Sequence, residues 1–315
     1  MKKFAILLRI SRPDHFIKHL FIVPGIFFAI LLVPKYELSL VNFILGFISS
    51  FLIASSNYAM NEFFDKDYDK FHPKKKFRSL VKEKILSKDI LIYCLFLYSI
   101  SLLISLYINK LFFYTSLAFV ISAIIYNAKP FRLKDIVYLD VVIESVNNPI
   151  RFFLGWFMVT ENFYLPPISI ILFYWFTGSF LMASKRLSEI RFFKKYSSIK
   201  NLIKYRQNYK HYNESNLLVS CSFYLMIASF NIAIFLLKYR EELILIYPLI
   251  SIIFCYYLYL SLENVYDKIS PDKIYFNSKL IFLIVAICLI FVISMNFDIE
   301  IVQWLVNKTI EININ

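Results

Sequence analysis

The chain has 315 residues, a net charge of +13 and 59% hydrophobic residues, with a mean hydropathy of +0.61. That balance excludes an ordinary soluble protein, and apolar runs of roughly eighteen or more residues recur along it, so an all-α, polytopic membrane bundle is expected; the runs are too long and continuous for barrel strands. The positive charge does not point to nucleic acid, because the basic residues gather in membrane-proximal segments and no nucleic-acid-binding motif is present; anionic membrane lipids and phosphorylated ligands are the expected partners.

In chain order, Met1-Lys2-Lys3 is followed by an apolar stretch only from Phe4 to Leu8, too short for a cleavable signal, so the first segment is expected to remain as an anchor. Nine spans are predicted, at 19–34, 40–60, 89–108, 111–127, 137–159, 166–184, 216–237, 242–262 and 279–297, forming one domain over 1–315. Five Lys and Arg precede the first span, nine lie in 61–88, three in 128–135, nine in 185–210 and three in 263–279, which is 29 of the 35. This asymmetry predicts a multi-pass protein of the cell membrane with a cytoplasmic N-terminus and an outward C-terminus. Nothing in the chain sets an oligomeric state.

The second span runs into Asn61-Glu62-Phe63-Phe64-Asp65-Lys66-Asp67-Tyr68-Asp69. On a helix Asn61, Glu62, Asp65 and Asp69 share one arc of about 100°, with Asn57 beside it and Asp67 opposite. Hard oxygen ligands on one face suit Mg²⁺, which keeps several waters and is shared with substrate phosphates. The run His72-Pro73-Lys74-Lys75-Lys76-Phe77-Arg78 then sets cations beside the acids, as a metal diphosphate requires. A solvated positive loop with balancing acids would have similar composition.

The turn Tyr126–Asp135 adds Lys129, Arg132 and Lys134 on the same side as the N-terminal Arg12-Pro13-Asp14-His15-Phe16-Ile17-Lys18. In the fifth span Asp140, Glu144, Asn147, Asn148 and Arg151 form a polar stripe that cannot face lipid, which makes it a functional candidate or a polar zipper between helices. Pro149 should kink that span. At the end of the sixth, Lys185, Arg186 and Glu189 share a face and could hold a phosphate or a pyrophosphate leaving group. Cys94, Cys221, Cys255 and Cys288 stand singly in apolar runs, without disulfide or zinc spacing. No phosphate loop, zincin helix or nucleophile elbow is present.

With these residues laid out, the chain resembles the UbiA superfamily of membrane prenyltransferases over nearly its whole length. Asn61-Glu62-x-x-Asp65-x-x-x-Asp69 is similar to that family's N-D-x-x-D-x-x-x-D. Within the superfamily it looks most like the decaprenyl-phosphate phosphoribosyltransferases. Their H-P-x-K-R-x-R-P is met by His72 to Arg78, with Ser79 for the last Pro. Arg12, Pro13 and Lys18 match their N-terminal motif, with Phe16 for Trp and His19 for Asn. Lys185, Arg186 and Glu189 match K-R-x-x-E, and Leu133, Lys134, Leu139, Asp140 and Arg151 match the motif between. Tyr126 stands eight residues before Lys134 rather than five, and Glu189 replaces the second Asp-rich motif of aromatic prenyltransferases.

The resemblance implies a Mg²⁺-dependent transferase that displaces pyrophosphate from a phosphorylated small-molecule donor, at a site facing the cytoplasm. It implies phosphoribosyl transfer from phosphoribosyl pyrophosphate to a polyprenyl phosphate. The alternatives are prenyl transfer from a polyprenyl diphosphate lipid to an aromatic or other acceptor and, from another class, lipid binding or transport. Asn61, Glu62, Asp65 and Asp69 are the implied metal ligands, with Asp65, Asp69 and Glu189 catalytic. Lys18, Lys76, Arg78, Tyr126, Lys134, Asp140, Arg151, Lys185 and Arg186 are the implied substrate-binding residues.

Overall fold

The structure is a computed structural model that describes residues 2–83, 85–160, 164–263 and 277–306. Among them there is no strand. Most of the basic loop predicted at 263–279, Lys84 and the tail beyond 306 lie outside the described residues.

The helices, in order, are α1 (Lys2–Ile10), α2 (Val23–Leu32), α3 (Leu40–Asp69), α4 (Ser79–Lys82), α5 (Ser87–Ile108), α6 (Lys110–Asn127), α7 (Leu139–Ser145), α8 (Asn147–Val159), α9 (Ile168–Tyr196), α10 (Ile199–Tyr205), α11 (Glu214–Tyr239), α12 (Tyr247–Leu262), α13 (Ser278–Asn296) and α14 (Glu300–Val306). Among the described residues eight helical stretches are long and apolar enough to cross a membrane. The predicted fifth span is missing from that set because it is broken at Val146 into α7 and α8. Pro149 has no N–H to give the Ser145 carbonyl, and the Asn147 amide side chain bonds the Glu144 carbonyl instead, at 2.9 Å. Among the described residues the nine predicted crossings thus correspond to eight helical stretches and one pair of shorter helices, α7 and α8.

Helices also overrun their apolar cores where the polar motifs lie. The helix α3 continues nine residues past the predicted end of its span, and α9 twelve, because a helix does not need apolar residues to continue: Glu, Lys and Arg form helix about as readily as Leu or Met. The first crossing begins earlier than its apolar run: it is a broken stretch, Lys3–Leu32, with Arg12 in the left-handed region (φ 49°) and Pro13 opening a 3₁₀ segment, Pro13–Ile22. Pro at the first helical position suits such a restart.

Between helices the polar contacts replace water. Ser49 of α3 meets the hydroxyls of Ser101 and Ser105 of α5, both at 2.8 Å, and Ser105 donates to Ser116 of α6 at 2.9 Å. Hydroxyl pairs and small residues are what bring membrane helices together when lipid is as apolar as the core. At the α2–α8 crossing Gly25 and Gly155 face opposite backbones: a Cβ on either would sit 2.0 Å from the Phe152 oxygen or 2.1 Å from the Ile22 oxygen. Gly178 leaves room for the Asn148 amide, 1.9 Å from where its Cβ would be. These contacts fix the broken crossing between its neighbours, with its polar stripe turned inward. A third apolar cluster, which includes Leu187, Phe193, Leu202, Tyr205 and Tyr209, holds the α9–α11 connection down on the end of α9.

Candidate active site

The polar ends of α3, α7 and α9 meet the segments 72–80, 126–135 and 205–212, and their charged groups divide into two sets. The first belongs to α3. Asp65 is buried, 2.5 Å from the Lys134 ammonium and 3.2 Å from Arg132. Asp69 is fully buried and accepts from Arg78 at 2.5 Å, while its Oδ1 has no hydrogen-bond partner. Asn61 gives its amide hydrogen to Asn127 Oδ1 at 2.9 Å, and Lys134 donates to that same oxygen at 2.8 Å. Asn61, Asp65 and Asp69 therefore stand one turn apart on one side of α3, Asn61 tied to the end of α6, Asp65 to the basic turn that follows it and Asp69 to Arg78.

Glu62 does not join them. One of its oxygens accepts the Leu80 backbone N–H at 3.1 Å and the other lies 3.6 Å from Arg12. It satisfies an orphan donor at the start of α4, whose first turn has no partner of its own. The four-oxygen metal face expected from the helical wheel is thus reduced to three, since a shared arc does not fix where side chains of different length end.

The second set gathers around Arg186, which is 1% exposed. Its guanidinium lies 2.8 Å from Asp140, 2.8 Å from Glu144 and 3.5 Å from Glu189. Tyr212 donates to Asp140 at 2.6 Å and Tyr126 to Glu144 at 2.7 Å. Glu189 also accepts from the Tyr209 hydroxyl and faces His72 and Lys75, each at 3.6 Å. Arg186 is accordingly committed to carboxylates, and Asp140 and Tyr126 serve that network rather than standing open to a ligand.

The other expected residues are dispersed. Lys76 is exposed and lies over the Phe77 ring, 5.1 Å from its centre; its neighbour Lys75 points inward to Glu189 and the Tyr205 hydroxyl. Lys185 is half-buried, within electrostatic reach of Glu144, Lys75 and Lys18, and takes part in no ion pair among the described residues. Lys18 lies 5.5 Å from the Tyr58 ring. Arg151 sits apart from both acidic sets, over Phe119 at 5.2 Å.

Several contributors have no signature in the sequence motifs. Arg132, Asn127 and Arg206 are among them, whereas Lys75 lies inside the His72–Arg78 motif. Arg206, half-buried with an unpartnered Nη1, lies within reach of Asp65 on one side and of Glu144 and Glu189 on the other, and so stands between the two sets. Its loop does carry a signal: Tyr205, Arg206, Tyr209 and Tyr212 recur at the spacing of one helical face inside a basic segment. Outside the crossings, burial holds Lys134 down at about 8 against the pull of Asp65, with Arg132 pressing the same way as burial. Burial likewise lowers Lys75 to about 8, opposed by Glu189 and reinforced by Arg78. His72 is lowered by burial despite Glu189, which favours its neutral form.

The sequence profile of the UbiA prenyltransferase family matches residues 22–284. The chain belongs to the UbiA prenyltransferase family. A search among curated proteins finds none that matches it. Among solved structures it is similar to a UbiA homolog from Archaeoglobus fulgidus bound to GPP and Mg²⁺, with a TM-score of 0.66, 22% identity and coverage of 92% of this chain and 98% of that one. The same homolog bound to DMAPP and Mg²⁺ gives 0.66, 21%, 92% and 97%, and a digeranylgeranylglyceryl phosphate synthase gives 0.63, 17%, 93% and 99%. At these identities the likeness establishes the fold alone, while the family match and the eight apolar helical stretches among the described residues make this a multi-pass membrane protein.

The α3 residues of this UbiA protein fit a divalent ion in one respect that its own hydrogen bonds show: Asp69 is buried with an oxygen left unused. Among the described residues no three His, Cys, Asp or Glu side chains form a closed cage. An open set of two carboxylates and an amide oxygen, completed by water and substrate phosphate, is the arrangement Mg²⁺ favours.

Proposed function

We propose that this UbiA protein is a Mg²⁺-dependent transferase that displaces pyrophosphate from a diphosphate donor, and that it moves a phosphoribosyl group from phosphoribosyl pyrophosphate to a polyprenyl phosphate. The observation that carries this is the surplus of positive charge between the two acidic sets. Lys185 and Arg206 lack any ion pair among the described residues, in a place where every carboxylate but Asp69 already has its partners. Cations withdrawn from water without a direct ion-pair partner are costly unless a ligand supplies one. A donor with a second phosphate and an acceptor that is itself a phosphate bring more negative charge than an allylic diphosphate and a neutral ring would.

Asn61, Asp65 and Asp69 would hold Mg²⁺, which when bound supplies neutralisation of the donor diphosphate as it departs. Lys134 and Arg132 pair with Asp65, and Arg78 pairs with Asp69. Arg206 and Lys185 orient the donor phosphates, while Glu189 and Arg186 hold Lys75 and α7 in place and act through them. The C1–O bond to pyrophosphate breaks with its electron pair leaving on pyrophosphate, and an oxygen of the acceptor phosphate forms the new C1–O bond. That oxygen is already anionic, so no general base is required. The excess of Lys and Arg on this side supports a site that faces the cytoplasm.

Membranes containing the protein, supplied with labelled phosphoribosyl pyrophosphate and polyprenyl phosphate, should yield a labelled lipid that depends on Mg²⁺. Absence of that product with transfer from GPP to an aromatic acceptor would establish prenyl transfer instead. The observation on that side is the GPP and DMAPP bound by the Archaeoglobus fulgidus homolog.

A further inference from the structure

Among the described residues, two buried side-chain oxygens that can accept but never donate are left without a partner, Asp69 Oδ1 and Asn208 Oδ1. A serine or threonine hydroxyl can rotate to suit a neighbour; a carboxylate or amide oxygen has no hydrogen to give and must be met by a donor. Asp69 is accounted for by the divalent ion, and Asn208 is not.

Asn208 stands in the 3₁₀ turn Gln207–Lys210 and is 1% exposed. Its Nδ2 donates to the Lys134 carbonyl at 3.3 Å. A carbonyl only accepts, so the atom facing it is the nitrogen and the oxygen lies at the far end of the amide. Lys134 has its ammonium 2.5 Å from Asp65, and the next residue of the turn, Tyr209, gives its hydroxyl to Glu189. Two residues earlier, Arg206 carries the unpartnered Nη1 and lies within electrostatic reach of Asp65, Glu144 and Glu189. Asn208 is thereby fixed between the α3 carboxylates and Glu189, on the loop that brings Arg206 to the donor.

Each unspent group there matches a different chemistry. A carboxylate oxygen suits a metal, a guanidinium N–H suits a phosphate, and a neutral amide oxygen suits a hydroxyl. An isoprenoid diphosphate brings phosphates and hydrocarbon, with no hydroxyl on its chain. The sugar of phosphoribosyl pyrophosphate carries free hydroxyls at C2 and C3. Metal and cations hold the diphosphate of either donor alike, so discrimination has to come from the part that is not phosphate.

We propose that Asn208 is a specificity residue whose Oδ1 accepts a hydrogen bond from a ribose hydroxyl of the donor. The assignment rests on the proposed function in taking the donor to be phosphoribosyl pyrophosphate, and adds the group that reads its sugar.

The test measures donor affinity on the full-length protein, as protection from thermal unfolding in the presence of Mg²⁺, so that differences in how readily each sugar ionises do not enter. The donors are phosphoribosyl pyrophosphate and its 2-deoxy and 3-deoxy analogues. Wild type should bind one of the two analogues about tenfold more weakly, the scale for leaving one buried acceptor unpaired. Asn208→Leu, which keeps the size and removes the oxygen, should bind all three donors alike. Asn208→Asp keeps an acceptor and gives up the N–H to Lys134, so it should retain the preference at a lower unfolding temperature. A purely structural role would weaken all three donors equally and leave their ratios as in wild type. A preference that survives in Asn208→Leu would overturn the assignment. So would equal binding of all three donors by wild type, a comparison that stands even where the leucine variant does not fold; phosphoribosyl transfer would remain in both cases. A wild-type protein that neither binds nor turns over phosphoribosyl pyrophosphate while using GPP would sink the phosphoribosyl reading and this one with it.

Discussion

Two groups of buried carboxylates lie within reach of Arg206, and they differ in whether their bonding capacity is spent. Asp140, Glu144 and Glu189 are saturated by Arg186, Tyr126, Tyr209 and Tyr212. On α3, Asp69 keeps a buried oxygen with nothing to accept. Saturated carboxylates fix geometry, whereas an unsatisfied one is held ready for something the chain itself lacks. The comparison points to chemistry at the α3 carboxylates and to support from the carboxylates of α7 and α9, although composition alone makes the two look alike.

The largest expected effect tests the α3 half. Asp69→Asn should lower turnover of the folded protein by about a hundred- to a thousandfold, the scale for removing a group that stabilises developing charge. Asp65→Asn should lower turnover as far and also lower the unfolding temperature, since it leaves the buried Lys134 ammonium without its carboxylate. Turnover within threefold of wild type, measured as Mg²⁺-dependent pyrophosphate release, would remove the distinction between the halves.

Arg186→Met should instead act on folding. It leaves three carboxylates at one buried site without their shared cation, a loss of about 3–5 kcal/mol when one partner of a buried ion pair is removed. The expected readout is a sharply lower unfolding temperature before any assay of activity. A variant that folds normally and loses only turnover would move Arg186 from support to chemistry.

A smaller effect separates the sets at Glu189. Glu189→Gln keeps an acceptor for the Tyr209 hydroxyl but gives up its charge toward Lys75, so it should cost about tenfold in kcat/KM, through KM for the donor more than through kcat. A thousandfold fall in kcat would place Glu189 with Asp65 and Asp69.

How far the sequence reveals this division follows from its physics. Helical periodicity locates the crossings and the Asn61, Asp65 and Asp69 face, because both depend on local spacing. The broken crossing is legible through Pro149. Glu62 and Arg186 are not legible, since their partners, Leu80 and Arg12 for one and Asp140, Glu144 and Glu189 for the other, are brought to them by tertiary packing. Arg206 escapes because its place between the sets depends on how the α9–α11 connection docks, through apolar contacts of Leu202, Tyr205 and Tyr209 that no motif encodes.

The smallest effect concerns adjacent lysines that composition cannot tell apart. The 3₁₀ turn Lys75–Phe77 sends Lys75 inward and Lys76 out, so Lys76→Ala should leave donor KM unchanged while Lys75→Ala raises it. Lys75 also gives a pH signature. Burial has brought its ammonium down to about 8, so it is charged below that pH and loses its proton as pH rises through it. Donor KM should therefore climb, by about tenfold at most for one lost charged contact, between pH 7 and 9. Lys75→Arg should flatten that rise, because a guanidinium stays protonated throughout. A KM that stays flat in wild type, or climbs equally in the arginine variant, would mean that Lys75 holds Glu189 in place and never meets the donor.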